Sequence, residues 1–272
     1  MSSRLWSGTA FNQVPDGVNQ IHGDEMAKEY GFEGALVPGA TTCAYLLHPF
    51  VEAHGMAYLK DGYAHVRLNA PVYDGSLFEV EADEKESLSW TATLTSDGRD
   101  PIATAEIKVS NELGRAPIYK GDELGDEHSP APMGLRENML IPKERGCKAF
   151  WDRWTPDHTM GTYLKNRSLM ASLYGLEGYA NPGFIVGMTN WVLASNIHMN
   201  PWILVEVWSQ NYAPIAEGSK ILGELEIGDL FERKGHEFVD ADINLFDADD
   251  KTCYSKVRLR AIYRVRGSWA VT

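Results

Sequence analysis

Residue types that can carry proton transfer stand close together near the start of the chain. His22 follows Asn19 in an Asn-x-x-His spacing, and Asp16 precedes both of them. A histidine with a pKa near neutrality can exchange protons at physiological pH, and a carboxylate can orient the same water molecule. Gly39 lies farther along, where the N–H groups of a helix N-terminus could hold negative charge developing on an oxygen. Together these residues predict a general acid–base site.

Each candidate also has an ordinary structural interpretation. His22 could be a surface or capping histidine, and the motif around it favours the catalytic interpretation. Asp16 lies in Pro15-Asp16-Gly17, which is a common turn sequence. For Asp16 the turn is therefore the simpler interpretation.

Two helices should position this site. Asp24 is a good N-cap for a short helix that Gly31 would close. A second helix is predicted to begin near Gly39 and to run to about residue 54, and it is apolar on most sides. Such a helix should be buried and wrapped by a sheet. Its first turn presents unpaired backbone N–H groups around Gly39 and Ala40, and a glycine there permits close approach to the backbone.

Both halves of the chain alternate apolar and polar residues in runs that predict antiparallel strands. The first set lies in residues 63–110 and the second in residues 202–266. A buried helix against such a sheet in each half makes the predicted fold class α+β.

Residue matches between the halves indicate a duplication. The sequence APVYDGS at 70–76 recurs as APIAEGS at 213–219, an offset of 143. Residues 36–41 resemble residues 184–189 at an offset of 148, which we interpret as the same unit with a changed loop. Chance similarity is the alternative.

These matches divide the chain into two units and a linker. The segment between them is rich in glycine, proline and acidic residues and has no periodicity. The predicted boundaries are 1–112 for the N-terminal unit, 113–137 for the linker and 138–272 for the C-terminal unit.

Composition argues against several classes of protein. The chain has 272 residues, a net charge of −13 and a pI near 5.0, whereas nucleic-acid binding requires a basic face. Its three cysteines are far apart, which favours a reducing compartment. Residues 1–20 lack the apolar core of a signal peptide, and no apolar run is long enough to span a membrane. We therefore predict a cytoplasmic protein that binds neither nucleic acid nor membrane.

Other polar residues are weaker candidates. His65 and Arg67 share one face of a predicted strand and, with Ala40, are the candidate substrate-binding residues. A solvated sheet face is the simpler interpretation of that pair. No spacing of histidine, cysteine or acidic residues is typical of a metal site, so no metal is predicted.

The stretch from Gly17 to Ala40 carries a resemblance to a known family. It resembles the hydratase motif of the MaoC-like family, the (R)-specific enoyl-CoA hydratases and acyl dehydratases, in its double hot-dog form. In that form one half carries the catalytic motif and the other shapes the substrate tunnel. The matching residues are Asn19, Ile21, His22, Asp24, Ala27, Gly34 and Gly39.

The resemblance assigns roles to individual residues. His22 would be the catalytic histidine, Asn19 would support the site, and the Gly39 N–H would polarise the thioester carbonyl. Two positions depart from the family motif. The place of the catalytic aspartate is Gly17, so that Asp16 would have to replace it.

The second departure lies at the start of the buried helix. The family has a His-Gly-Met sequence there, and its histidine position is Pro38 in this chain. In the second half, Met170 would stand at the position of His22 and no Asn-x-x-His precedes it. We therefore expect the second half to be catalytically silent.

The resemblance implies a hydratase or dehydratase that adds or removes water at an α,β-unsaturated acyl thioester in fatty acid metabolism. It implies no cofactor, because coenzyme A is part of the substrate. A double hot-dog pairs its helices internally, so a monomer or a homodimer would fit.

Three alternatives remain open. A hot-dog thioesterase would use an acidic residue on the buried helix, where Glu52 near the far end is available. The others are a non-catalytic acyl-binding protein and a lyase or isomerase acting on a substrate without a thioester.

A run of basic residues near the C-terminus also allows two interpretations. One is the solvated outer face of a sheet, and the other is a docking surface for the phosphates of coenzyme A or of an acyl carrier. These residues share strand parity and are Lys256, Arg258, Arg260, Arg264 and Arg266.

Overall fold

The structure, a computed structural model, describes residues 3–99, 101–110, 114–126 and 129–267. The predicted boundary between residues 112 and 113 lies outside the described residues. In the described part of the chain, one antiparallel sheet of 10 strands wraps two long helices.

The strands match the predicted alternating runs and add one edge strand to each half. The added strands are β1 and β6, which are short or largely exposed. The strands of the first half are β1 (Ser3–Thr9), β2 (Gly62–Leu68), β3 (Leu77–Glu86), β4 (Ser89–Ser96) and β5 (Ala103–Val109). Those of the second half are β6 (Phe150–Arg153), β7 (Ile203–Asn211), β8 (Lys220–Arg233), β9 (His236–Asp247) and β10 (Cys253–Arg264).

The strand order shows the duplication directly. The sheet runs β1-β3-β4-β5-β2-β7-β10-β9-β8-β6, so each half has the same internal order. The halves join where β2 pairs antiparallel with β7, with Val66 opposite Val207. The ladder runs from Tyr63 opposite Gln210 to Arg67 opposite Glu206, which makes one continuous sheet of the two units.

Helices lie on the concave side of the sheet or connect its strands. They are α1 (Asp24–Glu29), α2 (Gly39–His54), α3 (Met56–Asp61), α4 (Arg136–Arg145), α5 (Ser172–Gly175) and α6 (Pro182–Asn196). Two 3-10 helices, Gln20–His22 and Arg167–Leu169, precede α1 and α5.

The predicted buried helix is α2, and its partner is α6. Every residue of α2 from Ala40 to Val51 is buried, as expected of a helix that is apolar on most sides. The two helices pack closely where a Cβ on Gly183 would lie 3.6 Å from the Ala40 carbonyl oxygen. The core is therefore a helix pair enclosed by the sheet.

The helix starts correct one part of the predicted repeat. Gly39 begins α2 and Pro182 begins α6, which gives the same offset of 143 that relates the APVYDGS and APIAEGS turns. The match at an offset of 148 was wrong, because residues 36–41 lead into a helix whereas residues 184–189 lie inside one.

In the second half of the chain, the counterpart of the turn that carries His22 also differs from the prediction. Asn19 caps the helix Gln20–His22, and Asn166 caps the helix Arg167–Leu169. By position in these elements Leu169, rather than Met170, corresponds to His22. The asparagine recurs in the second half and the histidine does not.

The prediction that Asp24 caps a helix was wrong by one position. The helix begins at Asp24 itself, and Gly23 is the N-cap. The Asp24 carboxylate accepts hydrogen bonds from Lys28 Nζ at 2.5 Å and from the Ala35 N–H at 3.3 Å. The role of Asp24 is thus structural, and Gly31 ends the helix at φ +85° as expected.

Part of the predicted linker is tied to the second half of the sheet. The buried Glu224 carboxylate on β8 accepts hydrogen bonds from the N–H groups of Lys120, Gly121 and Asp122 at 2.7–3.1 Å. These bonds satisfy a charge that would otherwise be buried without a partner.

Two helix-against-sheet units of identical strand order, joined edge to edge, form a double hot-dog. The class is α+β, as predicted. In this fold the N-terminus of α2 lies beneath the Gln20–His22 turn and beside the start of β7, where the two halves meet.

Candidate functional site

A cavity of about 630 Å³ lies at this meeting point. Its volume is within the range of small-molecule sites. The wall combines the Gln20–His22 turn, the start of α2, the end of β2, the start of β7 and the β8–β9 hairpin. Its polar lining residues include His22, Asn19, Thr42, Asn69 and Asn190.

The His22 ring is held by one strong hydrogen bond. Nδ1 lies 2.7 Å from the Leu36 carbonyl oxygen, which can only accept, so Nδ1 carries the proton. Burial lowers the pKa of His22 below its ordinary 6.5, and the bond to Leu36 partly offsets that effect. His22 is therefore neutral at pH 7. Its Nε2 is an unprotonated base, and no residue in the described part of the chain hydrogen-bonds it.

Backbone contacts fix the position of the turn that carries His22. The Asn12 side chain donates a hydrogen bond to the His22 carbonyl oxygen at 2.8 Å. The Leu36 N–H donates to the Ile21 carbonyl oxygen at 3.2 Å. These contacts restrict rotation and displacement of the imidazole, as a general base requires.

Asn19 connects the Gln20–His22 turn to the second half of the protein. Its Nδ2 donates to the Trp202 carbonyl oxygen at 2.9 Å, and its Oδ1 accepts from the Trp202 N–H at 3.2 Å. Next to it, the Gln20 N–H donates to Asn200 Oδ1 at 3.0 Å. Asn19 therefore positions the turn, and both ends of its amide are already occupied by backbone.

Gly39 places the N-terminus of α2 in the cavity wall. A Cβ at this position would lie 2.8 Å from Leu68 Cδ1 and 3.1 Å from Leu204 Cβ, so only glycine fits without displacement. The first N–H groups of a helix have no acceptor within the helix and carry partial positive charge. The N–H of Gly39 can therefore bind an oxygen that gains negative charge. Ala40 is buried against α6 and does not line the cavity.

Asn190 is a candidate residue that the sequence interpretation missed. It lies on α6 of the second half, and its side chain reaches the same cavity as His22 and Gly39. Its Oδ1 is buried without a hydrogen-bond partner among the described residues. Asn190 is one of few polar residues in an otherwise apolar helix, and that was the available signal.

The structure does not bring Asp16 into the cavity. Asp16 is exposed and borders a separate surface depression, together with Asp24, Glu33 and Asp74. His22 forms part of the wall between this depression and the cavity. Among the described residues, no carboxylate lines the cavity.

His65 and Arg67 also lie away from the cavity. On β2, Val66 and Leu68 face the core, so His65 and Arg67 face outward. Glu206 accepts from His65 Nε2 at 2.7 Å and from Arg67 Nε at 3.2 Å. Arg67 is exposed on this face, as the interpretation of a solvated face expected, whereas His65 is buried and stacks on Trp208. The position of this pair does not support a role in substrate binding.

Most of the basic residues on β10 are paired with acidic residues of the neighbouring strand β9. Arg258 forms a two-point hydrogen bond with Asp242, and Arg260 forms one with Asp240. Arg264 lies 3.7 Å from Glu237. The charges of these three arginines are largely compensated, which argues against Arg258, Arg260 and Arg264 as a phosphate-docking surface.

Two further features of the described residues concern metal ions and membranes. Within the described ranges, no group of three or more His, Cys, Asp or Glu side chains is arranged to hold a metal ion. None of the helices described there is both long enough and apolar enough to cross a bilayer.

Sequence comparison finds no relative, whereas structural comparison finds several. No family model and no curated protein sequence matches the chain. A conserved hypothetical protein of Mycobacterium tuberculosis with a double hotdog fold superposes with a TM-score of 0.60 at 10% identity, covering 96% of both chains. A putative MaoC domain protein dehydratase from Chloroflexus aurantiacus gives 0.54 at 10% identity, covering 98% of this chain and 95% of that one.

A putative thioesterase from Novosphingobium aromaticivorans is equally similar. Its TM-score is 0.54 at 12% identity, with 95% of this chain and 94% of that chain covered. The structural neighbours thus include MaoC-like dehydratases and thioesterases on one double hot-dog scaffold. At these identities the likeness establishes the fold, and the chemistry has to be argued from the site.

Proposed function

We propose that this protein is an acyl-thioester hydratase or dehydratase, a hydro-lyase in which His22 is the acid–base residue. The observation that carries the proposal is the hydrogen bond from His22 Nδ1 to the Leu36 carbonyl oxygen. It leaves Nε2 as an unprotonated base on a residue that lines the cavity, as Gly39 does at the positive end of α2. A base beside an oxyanion site is the arrangement that enolate chemistry requires.

The reaction in the dehydration direction needs few groups. The thioester carbonyl oxygen of a 3-hydroxyacyl substrate accepts a hydrogen bond from the Gly39 N–H, which stabilises the enolate. His22 Nε2 removes the α-proton, and the electron pair forms the α,β double bond as the C–O bond breaks. The histidine proton passes to the departing hydroxyl, which leaves as water. Hydration is the same sequence in reverse.

One histidine serves both proton transfers in this scheme. The family pattern assigns the second transfer to an aspartate, but Asp16 is exposed outside the cavity. A second polar group would also orient the hydroxyl or water. Here the Asn190 amide in the cavity wall has that role. The substrate brings its own coenzyme A, so that none of these steps uses a further cofactor.

The cavity lining argues against the thioesterase alternative. Hydrolysis by the carboxylate mechanism needs an acidic side chain next to the thioester carbon. Glu52 is half exposed, lies 3.5 Å from His48 Nε2 and is not in the cavity wall. In the described residues no other carboxylate replaces it there.

The test is an ultraviolet assay of crotonyl-CoA and a longer enoyl-CoA, following loss of the conjugated thioester band. We expect His22→Gln to lower turnover by about 10²–10⁴-fold, the usual contribution of a general acid–base. Asp16→Asn is the matched control and should retain near wild-type turnover. Folded wild-type protein that hydrates no enoyl-CoA would contradict the proposal. Turnover of the free acid in a parallel assay would point to a substrate without a thioester.

A further inference from the structure

The rim of the cavity has a different chemistry from its interior. Arg233, Lys234 and His236 belong to the lining, and all three lie at the β8–β9 hairpin. Arg233 and Lys234 are exposed, whereas the lining residues Gly39 and Asn190 are only partly exposed. The cavity therefore connects the catalytic turn with a basic rim. We call residues 232–237 the rim hairpin.

The geometry of the turn places the basic and the acidic residues of the rim hairpin on opposite faces. Lys234 has φ +55° and Gly235 has φ +81°, which makes a tight two-residue turn. Arg233 then stands opposite His236 on the face that carries the cavity-lining Phe238. Glu232 and Glu237 form the next pair, and the alternation of a strand turns them to the other face.

A third cation joins this cluster from the end of β10. A Cβ on Gly235 would lie 3.0 Å from Arg266 Cδ, so the Arg266 side chain packs directly over the turn. The Arg266 N–H donates to His236 Nδ1 at 3.1 Å. That bond requires an unprotonated Nδ1, so His236 contributes a neutral ring to the cluster.

These three cations lie together and lack the acidic partners that Arg258 and Arg260 have. Arg258 and Arg260 each hold an aspartate at 2.7 Å. In the part of the chain that the structure describes, no acidic side chain forms an ion pair with Arg233, Lys234 or Arg266. In a chain with a net charge of −13, uncompensated cations at a cavity rim are best explained by an anionic ligand.

We propose that the rim hairpin, with Arg266, binds the phosphates of coenzyme A. The pantetheine arm would then run along the apolar wall formed by Ile203, Ile262 and Phe238 and bring the thioester to His22. Three cations match the pyrophosphate and 3′-phosphate of coenzyme A, whereas a carrier-bound arm brings a single phosphodiester. The inference rests on the proposed function for the acyl chemistry, while phosphate binding can be measured without turnover.

The decisive experiment is a calorimetric titration with coenzyme A, dephospho-coenzyme A and pantetheine. The variant is Arg233→Gln/Lys234→Gln. The matched control is Lys220→Gln/Lys256→Gln, which removes the same charge from exposed positions elsewhere on the sheet. We expect the rim variant to bind coenzyme A at least about tenfold more weakly, because charged hydrogen bonds are lost. The control should bind it as the wild type does, and removal of the 3′-phosphate should weaken binding to the wild type.

Three results would overturn the inference. They are unchanged binding of coenzyme A to the rim variant, equal weakening in the control, and a wild type that binds coenzyme A no better than pantetheine. A second assay distinguishes failure of the phosphate-binding inference from failure of the proposed function. Hydration of crotonyl-pantetheine should be equal in wild type and rim variant, while hydration of crotonyl-CoA should fall in the variant. Absence of all hydration would refute the function, and the titration would still decide whether the rim hairpin binds phosphate.

Discussion

His22 Nδ1 lies 2.7 Å from the carbonyl oxygen of Leu36, the residue that leads into the buried helix α2. This contact joins the Gln20–His22 turn to the start of α2, for which we propose the oxyanion site. It also selects the tautomer, because a carbonyl oxygen cannot donate a hydrogen bond. The proposed base and the proposed oxyanion donor are thus positioned by the same short segment, residues 36–39.

The first prediction concerns pH. Burial lowers the pKa of His22 below 6.5, and catalysis as a base needs the neutral ring. The plateau of kcat/KM for hydration should therefore extend below pH 6.5 and then fall with an acidic limb of lower apparent pKa. The proton resonances of His22, assigned by their loss in His22→Gln, should titrate at the same pH. An apparent pKa at or above 6.5 would contradict the burial argument.

The same shift has a consequence for stability. Between the lowered pKa in the folded protein and 6.5 in the unfolded chain, the unfolded state binds more protons at His22. The contribution of His22 to the free energy of unfolding is therefore fully present above pH 6.5 and is lost as the pH falls to the folded-state value. Denaturation curves of wild type and His22→Gln should diverge in that window.

The second prediction concerns Asn190. Its Oδ1 has no partner among the described residues, so Asn190→Ala should leave the melting temperature unchanged or raise it. Turnover should fall about tenfold or more, because the substrate hydroxyl loses its hydrogen bond. Asn181→Ala is the matched comparison, since Asn181 is buried and bonds the Phe184 N–H and the Met160 carbonyl.

Asn181→Ala should cost about 1–3 kcal/mol of stability. If Asn190→Ala instead destabilised the fold and left turnover intact, Asn190 would be a structural residue.

The third prediction concerns Gly39. Gly39→Ala places a methyl group 2.8 Å from Leu68 Cδ1, and the strain should lower stability by about 1–3 kcal/mol. Displacement of the helix start should also reduce kcat, because the oxyanion donor moves. Gly125→Ala is the control, since its nearest new contact would be an ordinary 3.7 Å. Equal stability of both variants, measured by urea denaturation, would show that the site adapts to a side chain.

The fourth prediction concerns Asn19. Asn19→Ala removes both hydrogen bonds to Trp202 and should cost about 1–3 kcal/mol. The exposed neighbour Gln20, changed to alanine, should have little effect on stability. Faster hydrogen exchange at the Leu36 N–H, which is bonded to Ile21, would report loosening of the turn. Unchanged exchange in Asn19→Ala would exclude the positioning role.

The fifth prediction concerns Glu224. Glu224→Gln replaces one carboxylate oxygen by a donor that faces the N–H groups of Lys120 and Gly121, so about 1–3 kcal/mol of stability should be lost. Glu226→Gln is the control, because Glu226 is 72% exposed and its described ion pair is with the Lys120 side chain at 2.9 Å. Proteolysis within residues 114–126 should accelerate in Glu224→Gln alone. Equal protection in both variants would show that other contacts hold the segment.

Local patterns were sufficient for most of the fold. The alternating runs became β2–β5 and β7–β10, and the apolar segment after Pro38 became α2. The edge strands β1 and β6 were missed because they are short or mostly exposed, so they lack a buried face to produce a pattern. The repeat was recognised at the turns and misaligned at the helices, since a match of small and apolar residues carries little register information.

The sequence by itself therefore determined the helix-and-sheet units, their duplication and the pairing of His22 with a glycine at a helix start. Only the tertiary structure decided which polar groups share the cavity. It excludes Asp16, turns His65 outward to Glu206, and brings in Asn190 from the other half. The physical reason is the distance along the sequence over which each kind of interaction acts. Periodicity and capping act within a few residues, whereas the cavity forms where β2 pairs with β7 and the two halves pack.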